Sequence, residues 1–247
     1  MLLHHLTWVE VEEYLKKSKG VIIPLGSTEQ HSPLGQIGTD AICAETVARA
    51  VGRDAGALVG PTISVGMSEH HMSFPGSMTL RPSTLLLVIK EYALSLARHG
   101  FQRIMFVNGH GGNVATARAA FAEAYVEAGA EERYGRDLRC LLVNWYEAKS
   151  AKEYSEKHFA GREGSHATPS EVSLALAAFP DQKKEAELGV FSDKSGPIYS
   201  HRDFRERYPD GRIGSDPSLA SVDHGERILA GVRSDLVRTY REFLAEE

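Results

Sequence analysis

The chain has 247 residues, 42% hydrophobic and 25% charged, an ordinary globular composition that predicts one compact domain over 1–247. With 28 Lys and Arg against 33 Asp and Glu the net charge is −5, so there is no basic excess to neutralise a phosphate backbone, and nucleic acid is not an expected partner. Two cysteines, Cys43 and Cys140, argue against a disulfide framework and for a reducing, cytoplasmic setting. No apolar run approaches the roughly 20 residues that cross a bilayer, and the N-terminus lacks a secretory pattern, so no membrane partner is expected.

Short runs rich in β-branched residues alternate with longer helical patterns, the signature of an α/β fold with a parallel sheet between helices. In chain order the pattern predicts a strand over 21–25, a helix over 40–51, a strand over 57–65 and a helix over 82–98. A strand over 104–107, a helix over 113–128, a strand over 138–143 and helices over 169–178 and 225–245 follow. Pro82 and Pro169 suit a first helical turn, where the missing N–H costs nothing. The irregular stretch 181–223, with Gly196-Pro197, Pro209-Asp210-Gly211 and Asp216-Pro217, is long for a compact domain and predicts a lid, a binding loop or an oligomer contact.

In open α/β sheets ligands bind beyond the carboxyl ends of the strands, and the segments following the predicted strands are conspicuously polar. The first is Gly26-Ser27-Thr28-Glu29-Gln30-His31, ending at Gly38-Thr39-Asp40; the second is Asn108-Gly109-His110-Gly111-Gly112-Asn113; the third holds Glu163 to Glu171. Each piece also has a plainer reading. Asp40 suits a helix N-cap, Thr168-Pro169-Ser170-Glu171 suits a capping box, and the Gly109 to Asn113 run suits a turn or a nest of N–H groups for phosphate. Jointly, Glu29, His31, Asp40, His110 and Glu171 supply two imidazoles and three carboxylates at one sheet edge. Such a set suits Zn, Mn or Fe(II), and the lack of cysteine disfavours a closed structural zinc. A carboxylate can bridge two metals roughly 3.5–4 Å apart that activate one water, so a binuclear hydrolytic site is the sharper reading.

With these residues the sequence resembles the creatininase (creatinine amidohydrolase) family. The matching stretches are Pro24 to His31 with Thr39-Asp40, His71 to Gly76, Asn108 to Asn113, His166 with Glu171 and Ser173, and Gly214 to Pro217 followed by Ala220 and His224-Gly225-Glu226. The resemblance implies a three-layer α/β/α sandwich with a mostly parallel central sheet, two divalent ions, and cleavage of a non-peptide C–N bond in a small cyclic or linear amide. It implies that Glu29, Asp40 and His110 hold one ion, and His31, Asp40 and a further carboxylate the other. Creatininase carries a glutamate two residues after the histidine matching His110; here that place is Gly112, and Glu171 is the replacement. His166 and Glu171 become the catalytic pair, with His166 protonating the leaving nitrogen, and His71, Ser73 and Trp145 sit beside the substrate. Homo-oligomers, hexamers foremost, are implied as well. Arg162 stands where creatininase has a tryptophan.

Hydrolysis of creatinine, removal of a formyl group and peptide-bond cleavage all remain open within that family. A non-enzymatic metal or phosphate module is the rival of another class. A serine hydrolase is disfavoured, because no Gly-x-Ser-x-Gly elbow occurs and Gly66-Met67-Ser68-Glu69 lacks the second glycine.

Overall fold

The computed structural model describes residues 1–134, 137–190, 194 and 196–246. Four parallel strands, β1 (Gly20–Leu25), β2 (Leu58–Val59), β3 (Arg103–Asn108) and β4 (Arg139–Asn144), form a sheet in the order β2-β1-β3-β4. Helices α1 (Trp8–Leu15), α2 (Thr39–Ala55), α3 (Pro82–Arg98), α4 (Val114–Ala130), α5 (Lys149–His158), α6 (Pro169–Ala178), α7 (His201–Arg207) and α8 (Val222–Ala245) surround it.

Strands buried on both faces read as continuous apolar runs, as Val21 to Leu25 and Ile104 to Val107 do. Val21, Ile23, Leu25, Ile104 and Phe106 pack on one face with Tyr14 of α1, Leu85 and Ile89 of α3 and Ala117, Ala120 and Phe121 of α4. On the other face Ile22, Met105 and Val107 meet Cys43 and Val47 of α2, Leu174 of α6 and the α8 stripe Ile228, Val232, Leu236 and Tyr240. The three-layer α/β/α expectation holds. Among the described residues no helix is long and apolar enough to cross a membrane.

The strand expected over 57–65 is a correction. Only Leu58–Val59 is strand, because Gly60 and Pro61 interrupt the run and Pro61 has no N–H to give; the chain rejoins β1 at Ile63, whose N–H bonds Pro24 O at 3.0 Å. Helices α1 and α5, and α7 inside the irregular stretch, are additions to the predicted set.

Stretch 181–223, apart from positions 191–193 and 195 outside the described residues, packs over the C-terminal edge of the sheet. Phe204 and Tyr208 form a satellite apolar cluster with Phe74. Ile213 pairs antiparallel with His166, and Ser215 Oγ donates to His166 O at 2.5 Å.

Candidate metal centre

Glu29 and His31 lie in the loop after β1, Asp40 in the first turn of α2, His110 just after β3, and Glu171 in the first turn of α6. Register brings the strand ends level: Leu25 pairs with Asn108, and Asn108 with Asn144. The loops leaving that edge converge.

His31 Nε2 stands 3.1 Å from Asp40 Oδ1 and 3.9 Å from Glu171 Oε1. His110 Nδ1 is 3.2 Å from Asp40 Oδ2 and 3.3 Å from Glu29 Oε1. Asp40 therefore turns one oxygen toward each imidazole. Two further histidines close in on Glu29 Oε1, His71 Nε2 at 3.1 Å and His166 Nδ1 at 3.7 Å.

Both carboxylate oxygens of Glu29 and Oδ2 of Asp40 are buried without a hydrogen-bond partner. An uncompensated buried ion costs several kcal/mol even after relaxation, so hiding these oxygens calls for a cation to balance them. The histidines are prepared for one. A backbone carbonyl can only accept, so His31 Nδ1 carries its proton toward Glu29 O (3.0 Å), His110 Nε2 toward Met67 O (2.9 Å) and His166 Nε2 toward Gln30 O (2.8 Å). Each ring then keeps its other nitrogen toward the carboxylates, to carry a second proton on His31 and His110 when no cation is bound and to offer a lone pair when one is. Metal-binding histidines are oriented in this way.

The electrostatics reflect the same crowding. Burial pushes Glu29 and Glu171 up to about 7. Burial opposes charge on His31 and His110, but Asp40 and Glu171 around the first and Glu29 and Asp40 around the second outweigh it, raising them to about 10 and about 9. Asp40 is held well below the carboxylate range because His31 and His110 overcome the burial penalty. Burial, then the neighbouring His31, lowers His166 to about 3, and His71 falls for the same reasons with His166 beside it. Without metal the carboxylates are balanced by protons on His31 and His110.

The plainer readings divide. Asp40 is not the N-cap of α2, which starts at Thr39 behind Gly38; its carboxylate faces the two imidazoles instead. Glu171 does close the capping box with Thr168, and it also faces His31. A phosphate nest at Gly109 to Asn113 is poorly supported, since the N–H groups of Gly109, His110 and Asn113 are spent on Leu25 O, Asn108 Oδ1 and His110 O. Gly109 has a different purpose: a Cβ there would overlap the Asp40 carbonyl, so only glycine lets the β3 loop approach α2 this closely.

A cavity of about 550 Å³ opens beside the centre, lined by Glu29, Asp40, His71, His110, Trp145, Tyr146, His166, Glu171 and Phe204 among others. That size accommodates a ligand well beyond a single small ring. Trp145 is buried in its wall. Ser73 does not line it; its hydroxyl bonds His201 Nδ1 at 2.7 Å and ties the His71 loop to α7.

Gln30 is a functional neighbour that residue-type reasoning passed over. Its side-chain amide donates to His71 Nδ1 and Gly211 O, both at 2.9 Å, while its main-chain carbonyl orients His166. An uncharged amide between two candidate ligands, Glu29 and His31, gives no signal except its position. Asn113, buried and side-chain bonded to the Met67 N–H, is another.

The comparisons with known proteins agree with this geometry. A family model described as creatinine amidohydrolase matches residues 4–240. A mycofactocin precursor peptide peptidase of Mycobacterium tuberculosis is 38% identical over 242 residues, covering 93% of this chain and 87% of that protein. Creatinine amidohydrolase of Pseudomonas putida is 30% identical over 189 residues, 71% of each. A solved structure described as "Creatininase Mn" covers 99% of both chains with a TM-score of 0.87 at 23% identity. A creatininase mutant of "Zn-Zn type" covers 99% of this chain and 98% of that one at 0.86 and 24%. With the family's motifs gathered at one sheet edge and its model matched over nearly the full length, the chain belongs to the creatininase family of amidohydrolases.

Proposed function

We propose that this protein hydrolyses an amide C–N bond of a peptide-like substrate with two divalent ions, Zn, Mn or Fe. The observation that carries the reading is the set of unpartnered oxygens on Glu29 and Asp40 facing histidine nitrogens whose other ring positions are tied to backbone carbonyls. Glu29, Asp40 and His110 would hold one ion, and His31, Asp40 and Glu171 the other. Bound there, two cations lower the pKa of water and polarise a carbonyl oxygen.

The chain's own groups supply the rest. His166 is neutral with its Nδ1 lone pair toward the centre, so it accepts a proton from the attacking water and returns it to the leaving nitrogen, which departs poorly unless protonated. His71, held by Gln30, and Trp145 in the cavity wall border the substrate. A peptide-like substrate is favoured over creatinine because the mycobacterial relative is a precursor-peptide peptidase, and because Gly112 and Arg162 depart from creatininase. Residues 1–247 act as one domain, with a homo-oligomer as the working assembly.

Protein purified without chelator should contain two transition-metal ions per chain. Reconstituted with Zn or Mn, it should cleave short peptides in a panel that also holds creatinine, other lactams and formamides. Turnover confined to creatinine would overturn the substrate, and metal binding with no turnover at all would leave only a binding module.

A further inference from the structure

We infer that Asn113 is a positioning residue that fixes the tautomer of His110 through the backbone of Met67, and so sets how tightly the ion held by His110 is bound. The inference rests on the metal reading above.

Asn113 occupies the N-cap position of α4, where an asparagine usually accepts N–H groups of the first turn, yet its side chain makes no capping bond. It reaches across to another loop. Its Oδ1 accepts the Met67 N–H at 3.0 Å, and its Nδ2 donates to Gly26 O at 2.9 Å and Asn108 Oδ1 at 3.2 Å. The amide cannot be turned round: Gly26 O accepts only, and Asn108 Oδ1 is already an acceptor for the His110 N–H at 3.2 Å. Asn113 is fully buried. Met67 is therefore held at its N–H by Asn113, while its carbonyl, in the next peptide plane, whose Ser68 N–H bonds Thr79 Oγ1 at 2.9 Å, receives the His110 Nε2–H at 2.9 Å.

Gly112 guards the same bond from the other side. A Cβ at that position would overlap His110 Nε2 and come 2.7 Å from Met67 O. The two residues that follow Gly111 thus serve one hydrogen bond, Gly112 by leaving room for it and Asn113 by anchoring Met67, the residue that carries its acceptor. The consequence is chemical. With the proton on Nε2, Nδ1 presents a lone pair to the space between Asp40 and Glu29; a proton on Nδ1 would instead point at the carboxylates and block coordination.

The test reads the ring directly and then the metal. Long-range ¹⁵N–¹H spectra of metal-free protein, taken at a pH where His110 is neutral and assigned with His110→Gln, should show the Nε2–H tautomer in the unsubstituted protein and a mixed or Nδ1–H population in Asn113→Ala and Gly112→Ala. Zn titration of the same variants should weaken one ion about 10- to 100-fold and leave the other within about twofold. Phe121→Leu, a core change away from the centre, should alter neither reading. An Nδ1–H tautomer in the unsubstituted protein overturns the inference, as do variants that keep both the tautomer and the affinity. If Asn113→Ala does not fold, Gly112→Ala decides, and if neither folds the unsubstituted tautomer does. Failure of the unsubstituted protein to bind Zn would reject the metal reading, while the tautomer measurement would still judge the role of Asn113.

Discussion

Glu171 Oε1 lies 3.9 Å from His31 Nε2 and also accepts the Thr168 N–H at 2.6 Å, so one carboxylate closes the capping box of α6 and faces the proposed metal centre. A capping box needs an acceptor at this position but not a charge, and glutamine serves as well as glutamate. A metal ligand needs the charge. Glu171→Gln should therefore keep the thermal midpoint of the chelated protein close to its original value and reduce bound metal from two ions to one per chain. Thr168→Ala should do the reverse, costing about 1 kcal/mol of stability with both ions retained. Calorimetry with metal analysis on the two variants separates the roles; loss of stability without loss of metal in Glu171→Gln would leave Glu171 a cap alone.

Asp40 shares its oxygens between His31 and His110, and among the described residues no other carboxylate lies within 4 Å of both. Asp40→Ala should lose most of both ions, and amide hydrolysis with them. Chelator treatment of the unsubstituted protein should abolish turnover, and Zn or Mn should restore it. Full metal retention by Asp40→Ala would sink the bridging role.

The metal-free protein should be sensitive to alkaline pH. His110 and His31 are raised by their carboxylates, against burial, to about 9 and about 10 from an ordinary value of 6.5. The folded chain thus holds protons that the unfolded chain releases near 6.5, so their contribution is fully present below that pH and is lost as pH rises through 9 and 10. Between about pH 7 and about pH 10 the melting temperature of EDTA-treated protein should fall. Metal binding displaces the same protons, so the gain on loading should widen over that range. A gap between loaded and chelated melting temperatures that stays constant with pH would contradict the account.

His166 faces the centre with a lone pair and belongs to neither proposed ligand set. His166→Ala should keep both ions and KM within a few-fold while kcat falls by about 10²- to 10⁴-fold, the usual worth of a positioned proton carrier. Unchanged turnover would remove it from the mechanism, and loss of an ion would make it a ligand.

Much of the fold could be read from apolar runs. The strands expected over 21–25, 104–107 and 138–143 fall within a residue or so of β1, β3 and β4: β1 and β3 are buried along their length and so read as apolar runs, and β4, half-buried at the sheet edge, still carries the run Cys140 to Val143. Helix α1 was missed although Thr7 and Glu10 form a capping box ahead of it, and α5 because Lys149–His158 is mostly polar and has no broad apolar stripe.

The sequence by itself determined which side chains could bind metal and that they follow the strands, since a parallel sheet sends every such loop to one edge. It could not determine whether those loops meet. That depended on register, with Leu25, Asn108 and Asn144 in one row, and on the absent side chain at Gly109 that lets the β3 loop reach Asp40. Only the tertiary structure decided the orientation of the imidazoles, because the carbonyls that hold them belong to Glu29, Gln30 and Met67, and backbone groups carry no sequence signal. A hydrogen bond to a main-chain oxygen is specified by where the chain runs, and that is settled by the packing of the whole domain.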